Sequence, residues 1–310
     1  MTARPKLIVL LGPTGAGKTE WSLALAKKFH GEIISADSRQ IYKKMSIGTA
    51  KPRQGQWVTE GERQVYLVDG IPHHLIDFLD PGRQFTVAQF CDLSLQHING
   101  AINRGHQPLI VGGTGLYIQA LIDNYAIPRI PPNKKLRRSL EEKTTAALLQ
   151  LLEALDPGAM ARIDRNNRRR VIRALEVSIL SGEPFSGQQM RGAPLFDTLK
   201  IGVDLAREEL YHRIHNRVDQ MIASGLLAEV QSLVRQKYAW ELPSMSGVGY
   251  RQFRAYLEGT ATLEQVIEHL KRDTRHFARR QMTWFRRDPE IHWCQRYDQA
   301  EGLAGGFLTT

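Results

Sequence analysis

The chain is predicted to be an α/β protein: a P-loop-type parallel sheet core flanked by helices, with a helical insertion domain. Three observations lead there. The apolar run Leu7 to Leu11 leads straight into Gly12-Pro13-Thr14-Gly15-Ala16-Gly17-Lys18-Thr19, which fits G-x-x-x-x-G-K-[ST] in the strand-then-helix context that pattern requires. Further short apolar runs at residues 32–36, 108–111 and 199–203 alternate with helical periodicity, as in a sheet assembled from strand–helix units. From about 124 to 199 the texture changes to helical stretches and Pro/Gly breaks. The core is therefore assigned to residues 1–124 and 199–310, and the insertion to 125–198.

The chemistry of the first motif comes from its residue types. Glycines at 12, 15 and 17 let the backbone wrap until several N–H groups point into one concavity. The helix expected from about Thr19 to Phe29 adds its partly positive N-terminus, and Lys18 adds a full charge. Gly12, Pro13, Thr14, Gly15, Ala16, Gly17, Lys18 and Thr19 thus form a cradle for two linked phosphates, with the Thr19 hydroxyl placed to hold Mg²⁺. The motif leaves the diphosphate unnamed.

In chain order, residues 32–36 read as a second strand ending at Asp37-Ser38-Arg39-Gln40. Side chains at the carboxyl end of such a strand open onto the ligand crevice, so Asp37 is expected within reach of the cradle. Lys51 to Gly61 reads as a polar, insertion-like segment, and Pro72-His73-His74-Leu75-Ile76-Asp77 as a turn and strand start. The two histidines invite a metal reading, but no third spaced ligand accompanies them and a loop or core role is favoured. A helix over 85–104 precedes a third strand at Pro108 to Val111, which runs into Gly112-Gly113-Thr114-Gly115. A P-loop hydrolase places an acid at the end of such a strand to hold Mg²⁺. Glycines and Thr114 stand there instead, and Asp37 is the available acid.

The insertion is expected to contain helices at about Lys134 to Leu155 and Asn167 to Leu180, with a turn at Asp156-Pro157-Gly158. In the C-terminal third, Leu210, Ile214, Val218, Met221 and Ile222 form one apolar stripe, while Arg213 and Arg217 share another face. A long helix is expected from about Glu264 to Arg286. There Arg272, Arg275, Arg279 and Arg286 fall on one side, and Leu270, Phe277 and Trp284 on the other. A second arginine cluster, Arg162 to Arg173, lies in the insertion. Guanidinium forks suit phosphate oxygens and stack on bases, so both clusters suggest a polyanionic partner, as does a formal net charge of +10.

Composition bounds the class. At 42% hydrophobic and 24% charged residues the 310-residue chain is globular in type, and no apolar run approaches the roughly 20 residues of a membrane span. The basic, apolar start is too short for a signal peptide. The two cysteines, Cys91 and Cys294, lie far apart, arguing for reduced thiols, a cytoplasmic setting and no cysteine zinc site.

An ordered set of motifs resembles the tRNA dimethylallyltransferase (tRNA isopentenyltransferase) family in its short bacterial form. It comprises the phosphate loop, Asp37-Ser38-Arg39-Gln40-Ile41-Tyr42, Gly48-Thr49-Ala50-Lys51-Pro52, Pro72 to Asp77 and Gly112 to Tyr117. Asn166, Arg170, Arg173-Ala174-Leu175-Glu176, Arg213-Ile214 with Arg217, Gly249-Tyr250-Arg251-Gln252, and Arg280-Gln281 with Thr283-Trp284 complete it. Asn167 stands where the family usually has Asp, and Arg279 where Lys is usual. The resemblance implies transfer of a dimethylallyl group from dimethylallyl diphosphate to N6 of adenosine 37 beside the anticodon of tRNA, with Mg²⁺ and with diphosphate as the leaving group. It gives Asp37 the role of base and adds Thr114, Lys18 and an arginine, preferably Arg217 over Arg213, to the catalytic set. It assigns contacts with the tRNA anticodon stem-loop to Asp37, Ser38, Arg39, Gln40, Asn166, Arg170, Arg173, Ser246, Gly249, Tyr250, Arg251, Arg275, Arg279, Arg280 and Gln281. The target base is expected to flip out of its stack, and the enzyme to act as a cytoplasmic monomer. Two rivals stay open beside it: a P-loop small-molecule kinase consuming ATP, and an RNA-binding P-loop module without prenyl transfer.

Overall fold

A computed structural model describes residues 4–52, 54–61, 63–188 and 191–310. Its described residues divide into two compact units, one of residues up to 119 with 195–310 and one of residues 120–194.

In the larger unit, β1 (Lys6–Leu11) carries the run Leu7 to Leu11, at most 1% exposed throughout. A strand covered on both faces needs an apolar residue at every position, which is why this run does not alternate. Helix α1 (Lys18–Lys28) comes next, then β2 (Gly31–Ala36). After them stand β3 (Gln56–Glu60), β4 (Arg63–Val68), β5 (Ile71–His74), α2 (Val87–Asn103), β6 (Gln107–Gly112) and α3 (Gly115–Ile122). The smaller unit holds α4 (Lys134–Glu141), α5 (Thr145–Leu155), α6 (Pro157–Arg162), α7 (Arg168–Ser181) and α8 (Phe185–Gln188). The chain then returns through β7 (Asp197–Val203), α9 (Arg207–Ala223), α10 (Leu226–Arg235), α11 (Phe253–Leu257), α12 (Leu263–Phe285), β8 (Ile291–Cys294) and α13 (Tyr297–Thr309).

Among the described residues the strands form one eight-stranded sheet in the order β3-β4-β5-β2-β6-β1-β7-β8. Pairing is parallel from β5 to β8, and β3 and β4 add an antiparallel edge. Ile8, Leu10, Ile33, Leu109 and Ile201 share one cluster with Leu25 and Ala26 of α1 and Ala300 and Ala304 of α13. Helix α2 packs on β2 and β6, burying Phe90, Ile98 and Ala101. Leu140, Leu148, Leu152, Val171 and Leu175 form the separate core of the smaller unit.

Several expectations are corrected. The stretch Lys51 to Gly61 is no mere insertion: Gln56–Glu60 is an edge strand, with Trp57 opposite Tyr66 and Val58 opposite Val65. (Arg53 lies outside the described residues.) Pro72 to Asp77 contains the end of a strand rather than its start. The helix expected from Lys134 to Leu155 is two helices, because the Thr144 side chain accepts the Ala147 N–H and starts α5 afresh. Asp156-Pro157-Gly158 opens α6 rather than forming a free turn. Asp156, 1% exposed, accepts the Ala159 N–H as N-cap with Pro157 next to it. Strand β8 was not anticipated; four residues are too few to display a period. On α12 the buried stripe is Val266, Leu270, Ala278, Gln281 and Phe285, with Phe277 and Trp284 only half-buried at its flanks.

His73 and His74 take core roles. The Nδ1 of His73 lies 2.9 Å from the Ile71 carbonyl, and His74 Nε2 lies 2.6 Å from Glu32. Glu32, 1% exposed, also accepts from Arg104 at 2.8 and 2.6 Å and meets His106 at 2.7 Å. Burial alone would raise its pKa, but these hydrogen bonds hold the carboxyl well below the usual range. His97 stacks on His74 with centroids 4.3 Å apart. Burial pushes both His73 and His97 down to about 4. Both stay neutral in the fold while unfolded histidine binds a proton near pH 6.5. Between about pH 6.5 and 4 the unfolded chain therefore holds more protons, and stability falls as the pH falls. Urea unfolding across that window should show the decline, and His97→Gln should roughly halve its slope.

Candidate active site

The strand register sets the site. Leu11 pairs with Gly112 and with Gly202, and Ala36 pairs with Gly112. The strands β1, β2, β6 and β7 therefore end level, so the loops bearing Gly12, Asp37 and Thr114 leave the sheet at one height. The carboxyl ends of adjacent parallel strands are where an open α/β sheet binds its ligand.

At β1 the loop turns into α1 through Gly17, whose φ of 93° lies in the left-handed region that glycine enters without steric cost. The N-terminus of α1 has no side-chain cap, so its first N–H groups face out of the helix toward the loop. Lys18 Nζ donates to the Pro13 carbonyl at 2.7 Å, arching over the loop. Burial lowers the Lys18 pKa to about 8, against the pull of Asp37 and with help from Arg217. Thr19 is exposed at the end of the loop. A concavity of N–H groups with a cation across it has the chemistry that anion binding needs.

At β2, Asp37 Oδ1 accepts the N–H groups of Arg39 at 2.8 Å and Gln40 at 3.3 Å. This turn organises its surroundings. Arg39 Nη1 donates to the Pro243 carbonyl, and Gln40 Nε2 donates to the carbonyls of Thr49 and Ala50 at 3.2 and 3.1 Å. At β6 the Thr114 N–H donates to Ala36 at 3.1 Å, and Thr114 Oγ1 accepts the Ser38 N–H at 3.1 Å. Thr114 and Asp37 thus belong to one hydrogen-bonded turn.

The two arginines of α9 separate. Arg217 is half-buried and interacts electrostatically with both Asp37 and Lys18; its own pKa is lowered by burial, against the attraction of Asp37. Arg213 is exposed and pairs with Glu209 at 2.6 Å.

The remaining motif residues fall into three groups. Some build the scaffold: Tyr250, 1% exposed, donates its hydroxyl to Glu229 at 2.7 Å, and the same carboxylate accepts the N–H groups of Ser46, Ile47 and Gly48. Lys51 is likewise buried against Tyr42 O and Asp77. In the smaller unit Arg173 and Arg137 both pair with the fully buried Glu176, at 2.6 and 2.8 Å. Others are exposed: Ser246 and Arg251 in the larger unit, Asn166 and Arg170 in the smaller. Asn167 is the N-cap of α7, accepting the Arg170 N–H, a task that Asn and Asp perform equally well. Gly249 is buried, and Gln281 sits on the inner face of α12.

The arginines of α12 are not one solvated face. Arg286 forks onto Asp204 at 3.0 and 2.9 Å and lies over the Trp293 ring, and Arg275 meets His215 and the ring of Tyr211. Arg279 and Arg280 are exposed. Arg279 also borders a cavity of about 720 Å³ that includes Pro13 of the phosphate loop, Arg207 and Tyr211. Sequence reasoning missed Glu229, and it named Lys51 and Asp77 only as motif members without a role; the three lock the segment after Asp37. No spacing pattern announces Glu229, because it acts on backbone N–H groups more than 180 residues away in sequence.

Sheet order, loop and level strand ends define a P-loop α/β protein whose strand beside the phosphate loop ends in glycine rather than an acid. A family model described as IPP transferase matches residues 40–288. The chain is 49% identical over 290 residues to a tRNA dimethylallyltransferase of Chloroflexus aggregans, covering 92% of this chain and 94% of that one. It is 47% identical over 289 residues to another from a Roseiflexus species, covering 92% and 91%. Among solved structures it resembles a full-length tRNA isopentenylpyrophosphate transferase from Bacillus halodurans, with TM-score 0.71, 38% identity and coverage of 99% and 97%. It also resembles a eukaryotic dimethylallyltransferase acting on tRNA, with TM-score 0.78, 29% identity and coverage of 97% and 77%. The chain belongs to the IPP transferase family.

Proposed function

We propose that this protein transfers a dimethylallyl group from dimethylallyl diphosphate to N6 of adenosine 37 in tRNA and releases diphosphate. The observation carrying this is the level placement of the phosphate loop, Asp37 and the Thr114 turn at adjoining strand ends, with Arg217 coupled to the first two. In the reaction the C1–O bond of the donor breaks, the N6–C1 bond forms, and the N6 proton passes to Asp37. Adenine N6 is a weak nucleophile because its lone pair is delocalised, so a positioned carboxylate base is the aid it needs. Charge grows on the departing oxygen, and Lys18, Arg217 and the loop N–H groups are the donors that would stabilise it.

The residues fit Mg²⁺. Among the described residues no cluster of three His, Cys, Asp or Glu could hold a metal by itself. Thr19, exposed at the end of the loop, would hold Mg²⁺ through its hydroxyl. When bound it supplies positive charge to the leaving diphosphate.

For tRNA, Ser246, Arg251, Arg279 and Arg280 in the larger unit and Asn166 and Arg170 in the smaller are the assigned residues that are exposed, and among them Arg279 and Arg280 lie together on α12. Arg39, Gln40 and Tyr250 support the site by holding its loops, while Arg173 holds Glu176 within the smaller unit. Arg279→Ala with Arg280→Ala should weaken tRNA binding and lower its salt slope by about 1–2; Arg286→Ala should instead lower stability by detaching Asp204. Among the described residues no helix is long and apolar enough to cross a membrane, and a tRNA substrate supports a cytoplasmic setting. Incubating the protein with tRNA, Mg²⁺ and dimethylallyl diphosphate, then digesting the tRNA for mass spectrometry, tests the reading: one adenosine next to the anticodon should gain a dimethylallyl group.

A further inference from the structure

Gln281 is the polar member of the inner stripe of α12, at 7% exposure. Its Oε1 accepts the Thr14 N–H at 2.8 Å, and its Nε2 donates to the Gly113 carbonyl at 2.9 Å. Both ends of a buried amide are therefore used, as burial demands. The side chain fits because residue 113 has no Cβ, which would otherwise lie 2.2 Å from Nε2. Thr14 belongs to the phosphate loop, and Gly113 directly precedes Thr114. One side chain thus clamps the loop after β1 to the loop after β6.

We infer that Gln281 is a positioning residue: it presets the phosphate loop for the diphosphate of the donor and keeps it in register with Thr114, rather than contacting tRNA. This rests on the transferase reading above. A loop held in its binding shape before the ligand arrives loses less freedom on binding, so the clamp acts on donor affinity. By occupying the Thr14 N–H, Gln281 also commits that donor to the scaffold and leaves the N–H groups further along the loop to meet phosphate.

The test is steady-state kinetics on the full chain, with tRNA affinity measured separately by filter binding. Gln281→Leu should raise the KM for dimethylallyl diphosphate about tenfold or more, the scale of a lost buried hydrogen-bond pair, while the Kd for tRNA stays within about twofold. Gly113→Ala, which drives a Cβ into the amide, should reproduce the donor defect. Combined with Gln281→Ala it should be no worse than Gln281→Ala alone, since the shorter side chain removes the clash. Should Gln281→Leu not fold, Gln281→Glu keeps the acceptor for Thr14 and loses the donor to Gly113, and an intermediate donor KM is expected. A weakened tRNA Kd with unchanged donor KM overturns the inference, as do unchanged values of both, or equal losses in both with a lowered melting temperature. If the wild-type protein transfers no dimethylallyl group, the transferase reading itself fails; if wild type is active and Gln281→Leu matches it, only the clamp fails.

Discussion

Asp37→Asn is expected to lower kcat by about three powers of ten, within the range for removing a general base, while tRNA affinity changes less than about threefold. The asparagine keeps an oxygen for the N–H groups of Arg39 and Gln40 that Asp37 Oδ1 now accepts, so the turn and its attached loops should survive. The site that receives the N6 proton is lost. Single-turnover kinetics at saturating donor measures the chemical step directly. Near-normal turnover would remove Asp37 as the base and point to solvent as the proton acceptor.

Lys18→Ala should cut kcat/KM for the donor by about 10²–10³-fold, as for other preorganised charge donors. The pH dependence is more specific. The Lys18 pKa in the free protein is lowered to about 8, chiefly by burial, so its ammonium is complete below that pH and is lost above it. Donor binding should weaken as the pH rises through about 8, by up to tenfold per unit beyond it. Lys18→Arg keeps its charge across that range and should flatten the profile even where its absolute activity is lower. A wild-type profile flat to pH 9.5 would show that the charge on Lys18 does not govern donor binding.

The parallel core and the cradle were legible because both are written in contiguous residues. Leu7 to Leu11 with the glycine loop, and the two runs ending at Asp37 and Gly112, each announce a strand together with the loop that leaves it. The edge strand at Gln56–Glu60 was not, because an edge needs only one covered face and its polar residues read as loop. Charge misled on α12 for a related reason. The helix lacks acids of its own between Asp273 and Asp288, yet Arg286 finds Asp204 at the end of another strand, a partner that no spacing within the helix could reveal. Gln281 shows the same limit: the resemblance set it among the tRNA contacts, but the backbone groups it meets lie more than 160 residues away in sequence.

The central claim is that the phosphate loop holds a departing diphosphate and not a phosphoryl donor. It is tested most directly by counting diphosphate released against dimethylallyl groups gained by tRNA, with labelled ATP also present. One diphosphate per transferred group, with ATP untouched, is the predicted result. Phosphoryl transfer from ATP to any acceptor, without prenylated tRNA, would contradict it.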